Sequence, residues 1–126
     1  MSKNESTENY LETILVLSKG LPVVRSVDIA NEMGFSKASV SIAMKNLREK
    51  GHITVTNSGF IYLTDSGRNI AEMIYERHQF LSDWLKALGV PEEIASGDAC
   101  RLEHVLSKES FQAIKQFAEH TGKKTP

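Results

Sequence analysis

The sequence predicts a mainly α-helical chain with one short β-hairpin near its middle, on three observations. Apolar residues recur at intervals of three and four over most of the length, two short alternating runs interrupt that pattern once, and Gly or Pro punctuates the changes. At 126 residues the chain has the length of one ordinary domain, or of two very small ones sharing a core. With 40% hydrophobic and 25% charged residues it is neither disordered nor low in complexity, and a multidomain enzyme is not expected at this size.

The first helix is expected from about Thr7 to Ser18, because Tyr10, Ile14 and Leu17 share a face with Leu11 beside it, and Gly20 and Pro22 end the pattern. A second helix runs from Ser26, the expected N-cap, to Met33, with Val27, Ile29, Ala30 and Met33 as its apolar positions. Gly34 and Phe35 form a tight turn. Ser36 then caps a third helix that places Val40, Ala43, Met44 and Leu47 inward, with Lys37, Ser39, Ser41, Lys45 and Arg48 outward, and Gly51 closes it. Ile53 and Val55, then Phe60, Ile61 and Leu63, alternate around Asn57-Ser58-Gly59 and predict a hairpin. Three helices and a hairpin in this order are a winged helix-turn-helix, whose third helix enters the major groove of DNA.

The charge distribution fits this assignment locally while opposing it globally. Fifteen Lys and Arg against sixteen Asp and Glu leave a net charge of −1, which excludes a uniformly basic nucleic-acid coat. Between Ser36 and His52, however, Lys37, Lys45, Arg48 and Lys50 face Glu49 alone, a local charge of +3. A solvated helix face or a winged helix used for protein contacts remains open on charge alone. In a DNA complex, Lys37, Lys45 and Arg48 would hold phosphates, Ser36, Ser39 and Ser41 would reach backbone or base edges, and Ala38 and Ser39 would make van der Waals contacts.

A long helix is expected from Asp65 to Leu88, with Ile70, Ala71, Ile74, Tyr75, His78, Leu81 and Leu85 on its apolar stripe. Phe80, Trp84 and Leu88 widen that stripe, so Trp84, Leu85 and Leu88 are expected at a homodimer interface; a larger internal core is the alternative. Short helices follow at about Glu92 to Ala95, Gly97 to Leu106 and Lys108 to His120, with a frayed tail from Gly122 to Pro126. Residues 1–66 thus form the expected winged helix-turn-helix domain, and residues 67–126 a helical domain. The lone Cys100, the polar start MSKNESTENY and the lack of a run of ~20 apolar residues point to a cytoplasmic protein without disulfides or a membrane span.

Cys100, Glu103 and His104 stand at i, i+3 and i+4 and would share one helix face. Thiolate, carboxylate and imidazole together select transition metals over Mg(II) or Ca(II). His78 on the long helix, with Asn9 and Glu12 on the first, could complete the shell. A satisfied core histidine, a small buried thiol and a surface Glu-His pair would give the same residues.

The segment Asp98-Ala99-Cys100-Arg101-Leu102-Glu103-His104-Val105-Leu106-Ser107 resembles the signature helix of the diphtheria toxin repressor and manganese transport regulator family, DtxR/MntR. Thr7-Glu8-Asn9-Tyr10-Leu11-Glu12-Thr13-Ile14, Ile29-Ala30 with Val40-Ser41, Leu63-Thr64-Asp65-Ser66-Gly67 and Arg77-His78 resemble it in the same order. The resemblance implies a homodimeric, metal-dependent repressor that binds a palindromic operator in double-stranded DNA and controls metal homeostasis genes, with no membrane and no small-molecule substrate. Fe(II) or Mn(II) would be the cofactor, with Co(II), Ni(II) or Zn(II) able to substitute. His78, Cys100, Glu103 and His104 would supply ligands, with Asn9 or Glu12 from the first helix, and the bound metal would order the DNA-binding half.

The departures bear on the metal. Asn9 replaces the first-helix acid of the manganese branch and the Met of the iron branch, while Glu12 matches the manganese branch and Cys100 the iron branch. Ser82 and Ser96 stand where the iron branch has its ancillary carboxylate and histidine, so one metal site is expected rather than two. The chain is expected to be a short form without the SH3-like domain of the larger iron regulators. The thiolate of Cys100 tips the expected preference to Fe(II) over Mn(II). A redox-sensing winged-helix regulator using Cys100 is the alternative function.

Overall fold

A computed structural model describes residues 3–122. The element order is α1 (Lys3–Gly20), α2 (Ser26–Met33), α3 (Lys37–Glu49), β1 (Ile53–Val55), β2 (Ile61–Leu63), α4 (Asp65–Ala87), α5 (Glu92–Leu102) and α6 (Lys108–Gly122). These form two compact units, Met1–Met73 and Ile74–Pro126, which divide within α4. No described helix is long and apolar enough to cross a membrane. Of the expected frayed tail, everything after Gly122 lies outside the described residues.

In the first unit α1 buries Tyr10, Leu11, Ile14 and Leu15. It starts before the expected Thr7, because a helix needs only its backbone ladder, not an apolar stripe, to continue through polar residues. Burial pushes the Tyr10 phenol above its ordinary pKa, so it remains a neutral core residue packed against the Phe35 ring at 6.1 Å. Ser26 is the first residue of α2 and not its cap. Arg25 holds the extended cap conformation, and its N–H donates to Asp28 Oδ2 at 2.9 Å, which takes over the role expected of the serine hydroxyl. Gly34 closes α2 at φ 70°, a left-handed conformation that glycine adopts without steric cost, and its N–H donates to the Ala30 carbonyl. Ser36 caps α3 as expected, with Oγ accepting from Ser39 N–H at 3.1 Å.

The hairpin is antiparallel, with Ile53 opposite Leu63, Thr54 opposite Tyr62 and Val55 opposite Ile61. Ile53 and Ile61 are buried, and Ile61 N–H donates to the Val24 carbonyl at 2.8 Å, tying the wing to the segment before α2. Phe60 falls outside the strand. Its N–H donates to Thr56 Oγ1, and its ring faces the Arg25 guanidinium at 4.9 Å. The first turn of α4 packs so tightly on the hairpin that any Cβ at Gly67 would overlap the His52 carbonyl oxygen. That close approach requires glycine in Leu63-Thr64-Asp65-Ser66-Gly67.

The second unit holds the rest of α4 with α5 and α6 around Leu81, Ala99 and Phe111. Phe80, Trp84, Leu102 and Leu106 pack against this cluster, Phe80 lying parallel to Trp84 at 6.3 Å and edge-on to Phe111 at 5.6 Å. Two expected short helices are one continuous α5, since Gly97 weakens a helix without breaking its hydrogen-bond ladder. It ends at Leu102 rather than Leu106, where Val105 and Leu106 N–H both turn back to the Leu102 carbonyl. α4 stops at Ala87, with Gly89 at φ 102°.

Candidate functional site

The outward face of α3 follows from the residues it buries. Val40, Met44 and Leu47 turn inward, so Lys37, Ala38, Ser39, Ser41, Lys45 and Arg48 are all exposed, as the periodicity predicts. Ser36 Oγ also donates to Ser39 Oγ at 3.0 Å. The helix therefore presents several hydroxyls and Lys37 at its N-terminal turn, with Lys45 and Arg48 further along. One exposed apolar residue of α3 larger than alanine was not among the expected site: Ile42, 63% exposed. Its signal was available, because it stands two positions from Val40 and hence nearly opposite the buried stripe.

In the second unit, Ala95, Ala99 and Glu103 form a buried stripe at i, i+4 and i+8 of α5 and its cap. Glu103 N–H still donates to the Ala99 carbonyl, which carries the helical direction one residue past Leu102 and buries the carboxylate completely. His78 Nδ1 lies 3.1 Å from Glu103 Oε2, and His104 Nε2 lies 3.3 Å from Oε1. The second pair is close but not aligned as a hydrogen bond: among the described residues Oε1 is a buried side-chain oxygen with no hydrogen-bond partner. A buried acceptor left in this state costs roughly 1–3 kcal/mol, and more when charged.

Arg77, itself buried, holds the turn that carries these groups. Its Nη1 donates to the carbonyls of Glu103 at 3.2 Å and Leu106 at 2.8 Å, while the guanidinium lies 5.0 Å from the Phe111 ring centroid. The sequence marked Arg77 only as part of a resemblance; its hold on a turn 26 residues away was not visible there.

The structure thus brings His78, Glu103 and His104 together. It does not bring Cys100 to them in the same way: the thiol is exposed, since Cys100 follows Ala99 by about 100° of helix rotation. Asn9 and Glu12 lie half-buried on α1. Of the residues expected to dimerise, Trp84 and Leu85 are half-buried, Trp84 within the core of its own unit, whereas Leu88 is 65% exposed.

The chemistry fits a cation. A buried carboxylate between two imidazoles, with one oxygen lacking a donor, is a donor set of the kind that divalent transition metals take. Residues 4–59 match the family model described as iron dependent repressor, N-terminal DNA binding domain. Residues 64–125 match the iron dependent repressor, metal binding and dimerisation domain. The transcriptional regulator MntR of Escherichia coli O6:H1 is 34% identical over 122 residues, covering 97% of this chain and 79% of that protein. An uncharacterized HTH-type transcriptional regulator of Methanocaldococcus jannaschii is 30% identical over 118 residues, 92% of this chain and 94% of that one. The solved structure of the manganese regulator SloR superposes with a TM-score of 0.80 at 25% identity over 94% of this chain, which spans 55% of that structure.

Proposed function

Because the chain belongs to the iron-dependent repressor family, DtxR/MntR, whose members are metal-dependent transcriptional repressors and not enzymes, we propose that His78, Glu103 and His104 hold the metal that switches its DNA binding. The observation that carries this reading is the buried Glu103 carboxylate with its unpartnered Oε1. A cation there supplies the positive charge that the oxygen lacks. Asn9 and Glu12 are proposed as further ligands on the strength of the resemblance.

The bound metal supplies Lewis-acid binding energy to the repressor and takes part in no reaction. Glu103 contributes the charge, His78 and His104 contribute nitrogen donors, and Arg77 keeps the Glu103–Leu106 turn in place. The expectation of Fe(II) over Mn(II) rested on the thiolate of Cys100. Because Cys100 is exposed while Glu103 is buried, carboxylate and imidazole are proposed as the leading donors, which favours Mn(II) with Fe(II) second. The name of the SloR neighbour supports the same order.

On the DNA side, Lys37, Lys45 and Arg48 neutralise phosphates, and Ser36, Ser39, Ser41 and Ala38 lie against the groove. The protein works as a cytoplasmic homodimer on a two-fold operator. The exposed apolar residues of the second unit, Leu88, Ile94, Val105 and Phe117, support such a pairing within a dimerisation domain, with Trp84 and Leu85 backing the surface. By linkage, whatever factor the metal adds to operator affinity, DNA adds to metal affinity.

Titration of the purified protein with Mn(II), and anaerobically with Fe(II), read out by binding to promoter DNA of its own genome, tests the proposal. Metal should tighten binding by roughly 5–150-fold, and Glu103→Ala or His104→Ala should abolish the gain. DNA affinity that is the same with and without metal, and survives both substitutions, removes the switch. A Cys100→Ser variant with unchanged Mn(II) response confirms the thiolate-free site, whereas loss of the response returns Cys100 to the ligand set.

A further inference from the structure

Ile42 is the largest exposed apolar side chain of α3 and lies on the face least suited to an apolar residue in water. Ala38, Ile42, Lys45 and Glu49 succeed one another at intervals of three and four opposite Val40, Met44 and Leu47, and Ile42 is 63% exposed. It lies in the N-terminal half of the helix, one turn beyond Ala38, with Ser39 and Ser41 to its sides and Lys45 following.

Three features fix what covers it. A protein partner with an apolar patch would also have to supply acidic groups at matching positions for Lys37, Lys45 and Arg48 around the contact. Water leaves the branched aliphatic chain hydrated at the centre of the face, without the gain of burial. DNA resolves both problems, since phosphates pair the flanking cations while the floor of the major groove offers one apolar group, the C5-methyl of thymine. The outward face carries no Gln, Asn or Arg in its first two turns, so it has little means of reading base edges by bidentate hydrogen bonds.

Resting on the reading of α3 as the groove-entering helix, we propose that Ile42, with Ala38 beside it, reads a thymine methyl group and is a specificity-determining residue of operator recognition. Specificity at that position is then apolar and shape-based, while the hydroxyls and cations set register.

The test starts from duplexes selected out of a random-sequence pool by the metal-loaded full-length protein. Each conserved thymine in the selected site is replaced in turn by deoxyuridine, which removes only the methyl group. At one position per half-site the substitution should weaken wild-type binding about fourfold, the worth of one buried methyl group. Ile42→Ala should bind thymine and uracil duplexes equally, and its own selected site should lose the thymine preference there. The variant should fold normally, because the side chain is exposed and alanine favours helix. If wild-type protein is indifferent to every methyl group, or Ile42→Ala keeps the full discrimination, the inference falls while DNA binding stands. If the metal-loaded protein selects no sequence at all, the DNA-binding reading falls and takes the inference with it.

Discussion

The two units bury different kinds of side chain. The first has an apolar interior drawn from every element, including Leu11, Ile14, Ile29, Val40, Leu47, Ile53 and Ile61, and none of its described charged residues is fully buried. The second has a shorter apolar list, Ile74, Leu81, Ala95, Ala99 and Phe111, yet it contains all the buried polar or charged residues found among the described ones: Arg77, Ser82 and Glu103. Hydrophobic burial alone is sufficient to account for the first interior. The second contains a buried carboxylate with one oxygen that lacks a hydrogen bond, so a cation held there should stabilise this unit directly, whereas the apolar core of the first should not itself depend on the ion.

Removing apolar volume from the first unit should have the largest effect. Leu11 is fully buried, and Leu11→Ala should destabilise by about 2–5 kcal/mol in urea unfolding, by the same amount with and without Mn(II). A metal-dependent difference in that loss would break the contrast between the units. Next in size is Glu103→Gln, which keeps the shape of the side chain and removes its charge. Wild-type protein at a metal concentration of 100 Kd should gain about 2.7 kcal/mol from the metal, and the variant should show almost none of this gain in thermal melts. An undiminished metal-induced shift would place the cation elsewhere. The smallest effect is expected at the α3 cap: Ser36→Ala removes the acceptor of Ser39 N–H and should lower stability by about 1 kcal/mol without altering the response to metal.

The first unit was largely legible because each of its signals is local. Ser36 ahead of a periodic run, Gly34 at a left-handed turn and Asn57-Ser58-Gly59 between alternating residues each act within a few positions. The misplaced cap of α2 is instructive, since Ser26 and Asp28 both carry a suitable oxygen and only the backbone direction at Arg25 decides between them. The second unit was less legible. Gly97 reads as a break, but the helix passes through it, and the absence of Gly or Pro after Leu102 hid the true end of α5.

The candidate site shows the same division. Glu103 and His104 could be proposed from spacing, and so could Cys100, because an i, i+3, i+4 pattern does not say which side is buried. The Ala95-Ala99 stripe does: small residues mark where α5 approaches its neighbours, and Glu103 continues that line while Cys100 leaves it. The approach of His78 to Glu103 depends on how α4 and the end of α5 pack, and sequence separation conceals it.

Arg77 gives the second unit a property beyond support. A guanidinium offers several donors in one planar fork, and a single nitrogen of Arg77, Nη1, ties the Glu103 and Leu106 carbonyls together from another helix. The backbone of the turn is fixed when the protein folds, not when a ligand arrives. Conformational entropy there is lost once, in advance, and an incoming ion meets a rigid frame whose remaining freedom lies in two imidazole rings and one carboxylate. Such a frame leaves less ordering to be done when an ion binds, so more of the ligand–ion interaction appears as affinity.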